Sequence, residues 1–221
     1  MGYRRLPTTD KARYLALERM SNIIGSDDLG VLLNKEKELM ILLDEFGNLL
    51  EKRERLAEQK KHTNRIKSIL TTKLRLYVSH YLQVLNFSID RGEMDKMVRK
   101  LYGLQVNMGN IPELSNIEHL MTWVEKIING EEKRVLTDKM PISHPNVKKI
   151  EGQKEQLIVQ QQELLTIENE IKINKQKIVD TRFLVDQFIK QAWNDIEAKF
   201  SNETNAVKQQ KAARYGVVYV N

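Results

Sequence analysis

Two long stretches of the chain carry apolar residues in a seven-residue rhythm. In the first, Leu42, Leu49, Leu56, Thr63, Leu70, Tyr77 and Val84 are spaced by seven. Interleaved with them are Leu39, Phe46, Arg53, Lys60, Lys67, Leu74 and Tyr81. Together these read as the a and d positions of a coiled-coil seam, apolar at both ends and polar near Lys60 to Asn64. In the second stretch Ile150, Leu157, Leu164, Ile171, Ile178, Val185 and Ala192 repeat the spacing, and Phe188, Ile189, Trp193, Ile196 and Phe200 thicken the face toward its end. The breakers agree. From Asn48 to Arg91 there are 44 residues with neither Gly nor Pro, and from Gln153 to Tyr215 another 63. Such gaps predict long helices, over 36–90 and 146–200. Gly47 lies inside the first and should weaken it by about 1 kcal/mol relative to Ala.

Shorter elements fill the remainder. Thr8 or Thr9 can cap a helix over 9–24, closed by Gly25-Ser26-Asp27-Asp28. Between the long helices, 94–128 reads as a helical hairpin. Its first arm is Asp95 to Leu104. Its second is introduced by Ser115-Asn116-Ile117-Glu118, a capping box with Ser as the cap, and carries the stripe Ile117, Leu120, Met121, Val124, Ile127 and Ile128. Gly130 to Asn146 then reads as a long connector. The tail 215–220, Tyr-Gly-Val-Val-Tyr-Val, is rich in β-formers and predicts an extended segment. Val217, Val218, Tyr219 and Val220 need a neighbour: residues 2–6, the helices, or a partner chain for which they form a docking strand. Two lone helices with thin seams are marginal in water, but packed antiparallel each covers the other's stripe. The expected architecture is one elongated all-α domain: an antiparallel coiled coil or bundle, a small hairpin inserted between the long helices, and both termini at one end.

Charge adds one local feature. The 221 residues carry a net +6, from 36 basic and 30 acidic side chains. Glu51 to Arg75 holds nine of the basic residues against three acids. Arg53, Lys60, Lys61, Arg65 and Lys67 are its candidate basic patch. A ridge of this kind attracts phosphates. Alternatively it meets acids across the seam: Glu151, Glu155, Glu163, Glu168 and Glu170 face only Lys154 in the corresponding part of the second long helix. The second reading is favoured, because stacking aromatics and RNA-binding signatures are absent from the segment.

Candidate chemistry is sparse. There is no Cys, which excludes disulfides, thiolate metal sites and a thiol nucleophile. No Glu-x-x-His, His-Glu-x-x-His or Gly-x-Gly-x-x-Gly occurs, and Gly25 to Gly30 lacks the Lys-Ser/Thr of a P-loop. His80, between Tyr77 and Tyr81, reads as a packed histidine. Trp193 reads as core, and Trp123 as the flank of its helix stripe. Met1 to Pro7 does not resemble a secretory signal, and no stretch approaches 18 uninterrupted apolar residues. The sequence therefore predicts a cytoplasmic, non-enzymatic interaction or scaffold protein without cofactor or metal. Its partner is another protein or a second copy. The alternatives are nucleic-acid binding through 52–75, and an enzyme with a site dispersed over a helical bundle.

Overall fold

The computed structural model describes residues 3–24, 30, 32–137 and 140–220. The fold is all-α, with two long helices packed tightly on each other. Thr9 caps α1 (Asp10–Ile24), its Oγ1 accepting the Ala12 N–H at 3.2 Å. The break expected at Gly25 to Asp28 lies outside the described residues. A 3₁₀ turn, Leu33–Lys35, leads into α2 (Glu36–Asp90), whose 55 residues run unbroken through the polar centre at Lys60 to Asn64. A 3₁₀ helix (Lys96–Tyr102) and α3 (Ile117–Val135) form the inserted hairpin. Then come α4 (Val147–Lys199), α5 (Asn205–Arg214), and two short strands, β1 (Tyr3–Arg4) and β2 (Tyr219–Val220).

The chain divides into two compact units, Met1–Glu58 with Glu168–Asn221, and Gln59–Ile167. In the first unit the pairings of α4 with α2 and with the turn that precedes it descend along one segment as they ascend along the other. Lys35 meets Asp195 at 3.4 Å, the Asn174 amide donates to the Leu49 carbonyl at 3.0 Å, and Lys52 meets Glu170 at 3.4 Å. The helices are therefore antiparallel. Leu39, Leu42 and Phe46 pack with Val185, Phe188, Ile189, Trp193 and Ile196, and α1 adds Ala16, Leu17 and Met20. Gly47 has a use in this packing. A Cβ there would come within 2.9 Å of the Tyr14 ring, so the missing side chain lets α1 lie close to α2.

The chain ends close this unit. Tyr3 pairs with Val220 and Arg4 with Tyr219 in an antiparallel register, and the Arg5 N–H donates to the Val218 carbonyl at 2.9 Å. Of the three neighbours open to the tail, the structure selects the N-terminal segment. Glu197 secures both strands, accepting from Arg4 at 2.9 Å and from the Tyr219 hydroxyl at 2.5 Å. Helix α5 was not expected. It brings Tyr215 against Phe200, with ring centroids 6.2 Å apart, and turns the chain at Gly216, whose φ of +88° favours glycine.

The core of the second unit joins Leu74, Val78, Tyr81, Leu82 and Leu85 of α2 to Leu120, Val124 and Ile127 of α3, and to Ile150 and Leu157 of α4. Two expectations are corrected here. The cap of α3 is Asn116, whose side chain accepts the Glu118 N–H at 2.7 Å, while the Ser115 hydroxyl turns to Glu113. Helix α3 also continues past Gly130 to Val135. Gly130 is a packing position, not a breaker. A Cβ there would collide with the Tyr102 ring and lie 2.9 Å from the Leu101 carbonyl.

Candidate interaction surface

The five residues of the candidate basic patch do not share one face of α2. Arg53 belongs to the first unit, where its guanidinium donates to Asp10 at 2.7 Å. Asp10 also receives two hydrogen bonds from Arg182, at 2.6 and 2.7 Å. The Arg182 hydrogen bonds outweigh the cost of burial and, with those from Arg53, hold the Asp10 carboxyl below the ordinary aspartate value. The other four lie in the second unit. Lys60 and Lys67 are half-buried at the edge of the seam, while Lys61 and Arg65 point to solvent. The period explains the split. At about 100° per residue, positions 60 and 67 share the side of Thr63 and Leu74, and 61 and 65 turn away from it.

The outward face has a different composition. Arg65, Ile69, Lys73, Leu76, His80 and Phe87 follow one another at helical spacing, and all are exposed. Ile69, Leu76 and Phe87 are large apolar side chains with 57%, 50% and 56% of their surface open. No acidic residue occurs from Gln59 to Ile89. The Lys73 ammonium lies 6.0 Å from the Tyr77 ring centroid. His80 is exposed and not packed, because a residue adjacent in sequence to the buried Tyr81 points about 100° away from it. Trp123 is half-buried on α3 with the Lys126 ammonium 4.2 Å from its ring centroid, and Trp193 is core.

Behind this face a buried polar network fixes the hairpin and the connector after it. Glu131 and Arg134 on α3 form an ion pair with almost no exposed surface. One Glu131 oxygen accepts from Arg134 Nη2 at 2.8 Å and from the Ile142 N–H at 2.7 Å. The other accepts from Arg134 Nε at 2.7 Å and from the Tyr102 hydroxyl at 2.5 Å. The Tyr102 oxygen in turn lies 3.2 Å from the Tyr81 hydroxyl, and Arg134 donates to the Met140 carbonyl at 2.7 Å. Burial alone would push the Glu131 carboxyl up. The donors from Arg134, Tyr102 and Ile142 reverse this and hold it below the usual range. Burial raises both tyrosines, with Glu131 adding to the effect. The network ties α3 to the backbone of the connector at Met140 and Ile142.

The candidate docking tail is largely used inside the chain. Val217 is buried, Tyr219 and Val220 are half-buried, and Val218 is exposed. The four histidines are all exposed, and among the described residues no three His, Asp or Glu side chains are placed to hold a metal ion. No helix among them is long and apolar enough to cross a membrane. No family model, curated protein or solved structure matches the chain.

Proposed function

We propose that this chain is a non-enzymatic interaction or scaffold protein that holds a helical segment of a protein partner against α2. The observation that carries the reading is the outward stripe of the second unit: Ile69, Leu76 and Phe87 exposed among Arg65, Lys73 and His80, on a helix without an acid for 31 residues. Exposed large apolar side chains at helical spacing suit a second amphipathic helix, and the surrounding cations select one with an acidic margin. The seven-residue rhythm that pairs α2 with α4 uses the opposite side of α2, and Ile69, Leu76 and Phe87 keep half or more of their surface open.

Titration with a fluorescently labelled acidic amphipathic helical peptide tests the reading. Saturable binding is expected, lost when Ile69, Leu76 and Phe87 are changed together to Ser and weakened when Arg65 and Lys73 become Glu. Sedimentation of the free protein at rising concentration detects a second copy as the occupant. Absence of both peptide binding and self-association sinks the proposal. The same cationic stretch supports one other reading, phosphate tracking along nucleic acid. That reading requires affinity for DNA or RNA that falls steeply with salt and survives the triple Ser variant.

A further inference from the structure

The cationic stripe of the second unit has a complement in the first. There α1 and α2 border an open groove of about 700 Å³. Tyr14, Met40, Leu43 and Leu50 give it an apolar lining, and Asp44, Glu51 and Glu54 add three exposed carboxylates. Two cations also line it, Lys11 and Arg53, but Arg53 is held by Asp10. None of the three acids takes part in an ion pair among the described residues, and neither do Arg65 and Lys73 of the stripe. Charge along α2 is divided in the same sense. Glu36 to Glu58 holds seven acids and four bases, and Gln59 to Ile89 holds six bases and no acid. The spacings match as well. Met40, Gly47 and Glu54 are seven apart, as are Leu43 and Leu50, and Asp44 and Glu51. In the stripe Ile69 and Leu76 are seven apart, as are Lys73, His80 and Phe87. Two helix faces with one period can run along each other with apolar and charged positions in step.

We propose that the partner of the stripe is a second copy of this chain, which presents its acid-lined groove. The inference rests on the stripe being an interaction surface, and it names the occupant. The groove side of α2 is itself an amphipathic helix face with an acidic margin, the kind of surface the stripe selects. Ile69, Leu76 and Phe87 of one copy cover the apolar lining in the other, while Arg65 and Lys73 meet Asp44, Glu51 and Glu54. Every copy carries both surfaces. A contact made twice between the same two copies closes a dimer, and a contact made once leaves a groove and a stripe for further copies.

Sedimentation of the full chain tests this with reversed charges. Wild type should associate as its concentration rises, and less so at high salt. Arg65→Glu with Lys73→Glu, and separately Asp44→Lys with Glu51→Lys, should each raise the dissociation constant by about tenfold or more while leaving the circular dichroism unchanged. Mixed together, the two variants should associate again, because the acidic stripe of one meets the basic groove of the other. Wild type that stays monomeric up to about 1 mM overturns the proposal. So does association that the Asp44 and Glu51 changes leave intact, or a mixture that associates no better than its components. The acidic helical peptide separates this inference from the reading beneath it. A monomeric protein that still binds the peptide through the stripe overturns the second copy alone, and one that binds neither overturns both.

Discussion

The two units use the same steric device and opposite electrostatics. In each, a tyrosine ring lies on a glycine inside a helix: Tyr14 on Gly47 in the first, Tyr102 on Gly130 in the second. The first unit then ties its added segments with ion pairs at the margin, through Asp10, Asp186 and Glu197. The second buries Glu131 and Arg134 almost completely and satisfies the carboxylate with four hydrogen bonds. A marginal pair can lose one member to water. A buried pair cannot, because the group left behind keeps its charge with no solvent to receive it. The comparison therefore predicts unequal sensitivity to the same chemical change.

Glu131→Ala should have the largest effect, a loss of about 3–5 kcal/mol in urea unfolding, with hydrogen exchange rising first within Gln59–Ile167. A loss no greater than that of Asp10→Asn would break the comparison. Gly130→Ala comes next. Better helix propensity should be outweighed by collision with Tyr102, for a net destabilisation of about 1–3 kcal/mol by thermal unfolding. Asp10→Asn should cost about 1 kcal/mol at pH 7, since its arginine partners are partly solvated. The Asp10 carboxyl is held below its unfolded value, so its contribution is complete above that value and disappears as pH falls through the folded one. Wild type and Asp10→Asn should converge in acid, and a gap that widens there reverses the assignment. The smallest change has the opposite sign. Gly152 sits inside α4 with open space where a Cβ would stand, and Gly152→Ala should stabilise by about 0.5–1 kcal/mol.

Much of the framework was legible in the sequence. Heptads and breaker-free gaps placed α2 at its observed bounds and α4 to within a residue, whereas local chemistry only narrowed the cap of α1 to Thr8 or Thr9 and the neighbour of the tail to three, between which the structure chose Thr9 and the N-terminal segment. Gly130 misled because glycine serves two purposes, a turn and a close approach, and only the distant Tyr102 distinguishes them. Helix α5 carries few apolar residues and so no periodic stripe. Glu131 and Arg134 lie in the run Glu-Glu-Lys-Arg, which reads as a solvated face until Tyr81, Tyr102 and Ile142 close over it. The basic stretch was visible as composition. Its division into seam-edge lysines and an outward cationic, apolar stripe needed the helix phase relative to α4.

The glycine–tyrosine contacts also restrict how this chain can change over time. A side chain at position 47 is accommodated most easily once the ring at 14 has been replaced by something smaller. Position 130 is more restricted, because a Cβ there also meets the Leu101 carbonyl, which stays when the ring at 102 is lost. Substitution at Gly47 should therefore be found mainly on backgrounds that have already lost the tyrosine, giving coupled variation between residues 33 positions apart in the chain.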